Sequence, residues 1–191
     1  MESDFSLELA SVMSPPLFAA LDLPEPTAEF LAGLDPKLPR LRWIPAGELH
    51  LTLSFIGETS QEAADRLCEA LAEVQVPPFY LPLQGVGTFS RKGQPTTIWV
   101  GVGGGHPHLY ALHRQVLDAI LKAGLEPDLR PFTPHVTIGR ARGLSAQAIR
   151  PFLRKHAEEY FGTLPVEGFT LYSSLRRASG PIYSPLMEKR F

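Results

Sequence analysis

Two histidines each stand two residues before a threonine, in His50-Leu51-Thr52-Leu53 and again in His135-Val136-Thr137-Ile138. In an extended strand, residues i and i+2 point to one face. Each segment therefore sets an imidazole beside a hydroxyl, while Leu51 and Leu53, or Val136 and Ile138, turn toward a core. Both runs end at a glycine, Gly57 and Gly139. A histidine buried for packing needs no threonine two positions on, and it needs no second copy, so the pair reads as two halves of one site. Two opposed imidazoles suit metal-free attack on a phosphodiester. The neutral one takes a proton from the nucleophile, and the protonated one gives a proton to the leaving oxygen. An ordinary imidazole pKa of about 6.5 brings both states within reach near neutral pH. The threonine hydroxyls can donate to the non-bridging oxygens as phosphorus becomes five-coordinate. No pair of carboxylates stands at metal-bridging spacing, so no metal and no other cofactor is expected.

Further candidates surround the motifs. Arg130 precedes His135 by five residues and Arg140 follows its strand, and guanidinium is well shaped for phosphate. By strand alternation Ser54 shares the face of His50 and Thr52, and Phe55 points into the core. Phe55 and Phe132 also have the chemistry to stack on a base, although packing is the plainer role for both. His106, His108 and His113 could ligate zinc in principle, yet they open and line a helix after a glycine run, with no further ligand near them in sequence. The run Gly101–Gly105 lacks the last glycine of a dinucleotide loop, because His106 stands there. It reads as a strand-to-helix turn.

These residues need strands and helices to hold them. Residues 1–14 are polar and aperiodic and are expected to be a loose extension closed off by Pro15-Pro16, with residues 15–191 forming one two-lobed domain. The pattern predicts strands over 17–22, 41–44, 50–56, 79–83, 88–90, 97–102, 134–139, 166–175 and 182–190, the last two as a hairpin around Ser179-Gly180-Pro181. Helices are predicted over 26–34, 60–74, 107–123 and 145–159, from capping residues and apolar stripes such as Ala63, Leu67, Leu71 and Val74. One order recurs: strand, helix, motif strand, helix, strand. A duplicated unit implies two lobes about a pseudo-twofold axis, with His50 and His135 facing each other across a cleft.

The 191 residues are 44% hydrophobic and 20% charged, an ordinary globular composition with enough chain for a sizeable core. No apolar run nears the ~20 residues that span a bilayer, and the start of the chain lacks the basic region of a signal peptide. The lone Cys68 forms no internal disulfide. A cytoplasmic monomer is expected, with no membrane partner. The net charge of −2 hides an imbalance: residues 1–95 carry −7 and residues 96–191 carry +5. Arg130, Arg140, Arg142, Arg150, Arg154, Arg176 and Arg177 supply much of the positive side, which favours a small anionic substrate or a nucleic-acid end.

The chain resembles the two-histidine (2H) phosphoesterases, and within them the RNA 2′,3′-cyclic phosphodiesterases often labelled 2′-5′ RNA ligases. The similarity runs from about Leu17 to Phe191 through LFAALDLP, HLTLSFIG, TIWVGV, FTPHVTIGR, FTLYSSL and PIYSPL. One His-x-Thr alone would be a weak signal; two, 85 positions apart in matching contexts, are specific. The resemblance implies an α+β fold with antiparallel sheets and helices around a central cleft. It implies hydrolysis of RNA or nucleotide 2′,3′-cyclic phosphate ends to a 2′-phosphate, with 2′-5′ RNA ligation as a minor side activity. In that scheme His50 matches the proton donor to O3′ and His135 the base that activates water. Thr52, Thr137, Arg130 and Arg140 are the substrate-binding candidates read from the residues themselves. The competing reading is a protein that binds nucleotides or RNA ends in the same cleft without turnover.

Overall fold

The structure, a computed structural model, describes residues 13–104, 106–177 and 180–191. Strands β1 (Leu17–Asp22), β2 (Leu41–Trp43), β3 (His50–Gly57), β4 (Phe79–Arg91), β5 (Gln94–Val102), β6 (His135–Ala141), β7 (Tyr160–Val166), β8 (Gly168–Arg177) and β9 (Gly180–Arg190) join in one sheet. Its order is β7-β4-β5-β6-β3-β1-β8-β9, with β2 added to β6, and every pairing is antiparallel. The helices are α1 (Glu25–Gly33), α2 (Gln61–Ala72), α3 (Pro107–Lys122) and α4 (Ala146–Lys155). Ser60 and Ser145 cap α2 and α4 by accepting the amides of Ala63 and Ala148, which satisfies a donor that the first turn leaves free. No helix among the described residues is long and apolar enough to cross a membrane.

The two halves of the sheet meet where β3 pairs with β6 through Leu51 and Val136. Both side chains are fully buried, so the junction is held by core packing more than by a ladder. Burying a side chain of this size contributes about 1.5–3 kcal/mol. The repeated units do not each close on themselves. They exchange their last strands: β4, from the first unit, pairs with β5 of the second, and β8, from the second, pairs with β1 of the first. Helices are shared the same way. The first unit's α2 packs on the second unit's α3, and these two contact β9 and β3 respectively. On the other side the α1 residue Phe30 meets Phe161 of β7, and Trp43 donates to the Leu31 carbonyl while its ring meets Phe152 of α4. Each half of the sheet thus contains pieces of both units.

Three expectations change. The segments 79–83 and 88–90 are one strand, because Gly85 at φ +69° forms a bulge that bends the ladder between Gln84 and Val86 instead of ending it. A Cβ there would stand 2.6 Å from the Ala157 carbonyl oxygen, so the bend requires glycine. The expected helix over 145–159 stops at Lys155, and β7 begins at Tyr160, where the sequence pattern gave no strand. The β8–β9 hairpin is present, with Ser179 outside the described residues. Of the expected N-terminal extension, Met13 bridges Ser60 and the Ser14 amide donates to the Thr59 carbonyl; residues 1–12 lie outside the described residues.

Candidate active site

The junction between the halves assembles the motif residues. With Leu51 opposite Val136 in an antiparallel pair, the neighbouring positions place His50 beside Thr137 and Thr52 beside His135. Each threonine therefore accompanies the other motif's histidine as well as its own. On such a lattice the two histidines occupy a diagonal, about 7–8 Å apart at the backbone, a spacing that brackets one tetrahedral phosphate. All four side chains line a single cleft of about 970 Å³, together with Arg130, Arg140 and Tyr183.

Both rings are held in the same way. Nδ1–H of His50 donates to the Glu48 carbonyl at 2.9 Å, and Nδ1–H of His135 donates to the Thr133 carbonyl at 2.6 Å. The acceptor in each case is the backbone two residues earlier, which can take only a donated proton. This fixes the tautomer and leaves Nε2 as the titrating atom of each ring. Aromatic walls complete the seats. His50 lies against Phe18 at 4.9 Å and edge-on to Tyr183 at 5.2 Å. His135 lies edge-on to Phe89 at 4.8 Å, with Trp99 at 6.3 Å.

Burial in these seats pushes both imidazoles below their ordinary pKa, since desolvation disfavours the charged ring. The positive charge of Arg140 pushes both further down, and the backbone acceptors push back up. Two influences fall on His50 alone: the Asp22 carboxylate favours its protonated form, and His135 disfavours it. Asp22 is the β1 residue paired with His50, and it accepts hydrogen bonds from Thr170 Oγ1 at 2.7 Å and the Tyr172 hydroxyl at 2.6 Å. The residue paired with His135 on β5 is Gly101.

Arg140 reaches the cleft through a bulge. Thr97 pairs with Arg140, Ile98 with Gly139, and then Trp99 with Thr137, so Ile138 is the extra residue. The matching extra residue in β3 is Leu53, since Ala20 pairs with Thr52 and Ala19 with Ser54. An extra residue reverses the alternation beyond it. The expectation for Phe55 is therefore corrected: it is 51% exposed on the cleft side, while Ser54, which also lines the cleft, is buried at 5% exposure. Phe55 and Arg140 occupy equivalent positions, five residues after their histidines. Gly139 takes the inward place, where a Cβ would stand 3.1 Å from both Leu41 and the Trp43 ring.

The remaining candidates separate. Arg140 donates to Thr97 Oγ1 at 3.2 Å, whereas Arg130 sits at the rim in a two-pronged contact with Asp128. Phe132 stacks on His113 at 3.9 Å, nearly parallel. His106 and His108 lie instead around Phe79, and among the described residues no three His, Cys, Asp or Glu side chains gather as a metal site.

A profile of the 2′-5′ RNA ligase superfamily matches residues 23–178. The chain belongs to that superfamily. An Aeropyrum pernix protein named RNA 2′,3′-cyclic phosphodiesterase is 36% identical over 140 residues, covering 73% of this chain and 80% of that one. A protein of the same name from Archaeoglobus fulgidus is 33% identical and covers 89% and 97%. Among solved superfamily structures, E. coli LigT complexed with 3′-AMP superposes with a TM-score of 0.76 at 27% identity, covering 93% of this chain and 98% of LigT. The superfamily fold, mixed α and β around a large antiparallel sheet, is the α+β class that the family resemblance implies. Sequence reasoning missed Tyr183, Phe18, Phe89 and Asp22. Phe18 and Asp22 stand in LFAALDLP and Tyr183 in PIYSPL, but their place beside the histidines comes from pairing in the folded sheet, which no spacing along the chain encodes.

Proposed function

We propose that this chain hydrolyses terminal 2′,3′-cyclic phosphates of RNA or nucleotides, with the two His-x-Thr segments as its catalytic machinery. The observation that carries the reading is the matched anchoring of both rings by Nδ1, which leaves Nε2 as the titrating atom of two histidines that line one cleft. Phosphate binding alone would not need a paired acid and base with fixed tautomers, so hydrolysis is favoured over binding without turnover.

In the reaction, neutral His135 takes a proton from water through Nε2 as the water oxygen attacks phosphorus. The P–O3′ bond breaks opposite the new bond, and His50 Nε2–H gives its proton to O3′. The product is a 2′-phosphate with a free 3′-hydroxyl. His135 ends protonated and His50 neutral, so exchange with solvent must reset the pair before the next turnover. Asp22 supports this direction, because a carboxylate near His50 stabilises the imidazolium that the acid requires. Thr52, Thr137 and Arg140 line the cleft where charge grows on the non-bridging oxygens. Arg130, already paired with Asp128, is assigned a rim contact to the incoming phosphate. The test is product analysis on a defined oligonucleotide ending in a 2′,3′-cyclic phosphate, with EDTA present. A 2′-phosphate end is expected; a 3′-phosphate end reverses the assigned leaving oxygen, and turnover that requires an added divalent cation refutes the metal-free scheme.

A further inference from the structure

Beyond the motif, β6 continues as Arg140-Ala141-Arg142, and the strand beside it is approached as Arg40-Leu41-Arg42. Register sets these two Arg-x-Arg segments against each other: Arg42 pairs with Arg140, Leu41 with Ala141, and the Arg142 amide donates to the Arg40 carbonyl. Adjacent strands lie about 4.8 Å apart and alternate residues about 6.6 Å, so four guanidinium stems rise from one small patch. Like charges directly opposite one another destabilise a sheet. Compensation here is sparse. Arg42 pairs with Glu48, while Arg40 donates to the Gly143 carbonyl and Arg140 to the Thr97 hydroxyl. Among the described residues no carboxylate forms an ion pair with Arg40, Arg140 or Arg142.

The patch has a shape as well as a charge. Arg40, Arg42, Thr96, Arg140 and Arg142 line a groove of about 550 Å³, and Arg42, Arg140 and Arg142 also line the catalytic cleft. The groove is therefore an extension of the cleft. Resting on the hydrolase reading above, we propose that this groove binds the phosphodiester on the 5′ side of the terminal nucleotide, with Arg142 and Arg40 as its contacts. The substrate it selects is an RNA chain end, in preference to a free nucleoside cyclic phosphate. A polyanion supplies the countercharge that the fold withholds, and a second phosphate one nucleotide inward is the group an RNA chain carries there.

The experiment compares three substrates: a nucleoside 2′,3′-cyclic phosphate, a dinucleotide with the same cyclic end, and that dinucleotide with a neutral methylphosphonate linkage. Wild type should have the highest kcat/KM on the charged dinucleotide. Arg142→Ala and Arg40→Ala should each lower that value by about tenfold, the lower end for a hydrogen bond to a charged group on an exposed site. Arg40→Ala, whose side chain lines the groove and not the cleft, should turn over the mononucleotide as wild type does, which also shows that it folds. The slope of log kcat/KM against log salt on the charged dinucleotide should flatten by about 0.7 per contact removed. Equal kcat/KM on all three substrates, or equal losses on the mononucleotide and dinucleotide in Arg40→Ala, would overturn the groove while leaving the hydrolase reading intact. Turnover of none of the three overturns both.

Discussion

Removing either imidazole tests the proposed division of labour most directly. His50→Ala deletes the donor to O3′, and His135→Ala deletes the acceptor of the water proton. Each loss should lower the chemical rate by about 10²–10⁴-fold, or about 2.7–5.5 kcal/mol of barrier. The double variant should be little worse than the worse single one, because acid and base act as a unit. Thr52→Val and Thr137→Val should cost less than the ~10²–10³-fold of a sequestered oxyanion donor, since this cleft is open to water. The pH profile carries the sharper test. His135 must be neutral and His50 protonated, and burial holds both below the ordinary 6.5. Both limbs of kcat/KM, which reports the free enzyme, should therefore lie on the acid side of 6.5. An anionic substrate favours imidazolium, so the limbs of kcat should lie at higher pH; the two apparent values belong to the pair as a whole. The assay is single-turnover and steady-state hydrolysis against pH in EDTA, for wild type and the four variants. A histidine variant retaining more than about a tenth of the wild-type rate, against the general acid–base range, refutes the mechanism.

Asp22→Asn should move the falling limb of kcat/KM to lower pH and leave the rising limb in place, and an unmoved falling limb would deny Asp22 its influence on His50. Phe55→Ala should cost under about 1 kcal/mol in chemical denaturation because half its surface is already exposed, whereas Leu51→Ala at the buried junction should cost about 2–5 kcal/mol. Similar losses at the two positions would contradict the bulge at Leu53. Stability should fall as pH drops below 6.5. The folded pKa values of His50, His135 and His113 are lowered, so the unfolded chain binds more protons in that window and stability rises with pH there. Urea midpoints that do not decrease from pH 7.5 to pH 5 would refute this, and added inorganic phosphate should protect by binding the folded state.

The motif residues were legible because their chemistry is local. A histidine and threonine two apart declare one face of a strand, and the apolar residues between them declare the other. The pairing of β3 with β6 was less legible, since nothing along the chain fixes which edges of two units meet. Strand exchange was hidden for the same reason: residues 79–84 complete the first unit in sequence but pair with β5 in space. Parity failed at one residue in each motif strand. Leu53 and Ile138 are ordinary β formers, and no residue type announces a bulge there, yet the bulge sends Phe55 outward and Ser54 inward. Setting HLTLSF over HVTIGR does align Phe55 with Arg140. A charged residue at an inward-reading position of one copy signals that strict alternation has failed in both.

Duplication builds a site whose two halves are interchangeable, yet in-line displacement requires them to differ. The fold supplies that difference beyond the motifs. Opposite His50 on the neighbouring strand stands Asp22, its carboxylate held by Thr170 and Tyr172; opposite His135 stands Gly101, which has no side chain to offer. Five residues past each histidine the bulged strands present Phe55 in one half and Arg140 in the other. The negative charge favours an imidazolium at His50. The guanidinium disfavours imidazolium at both rings, but His50 alone has a carboxylate influence opposing it. The two histidines are thereby given unlike surroundings by neighbours one strand away, while burial lowers the pKa of both. In the proposed mechanism it is the Asp22 carboxylate, and not the motif sequence, that favours His50 as the donor to O3′.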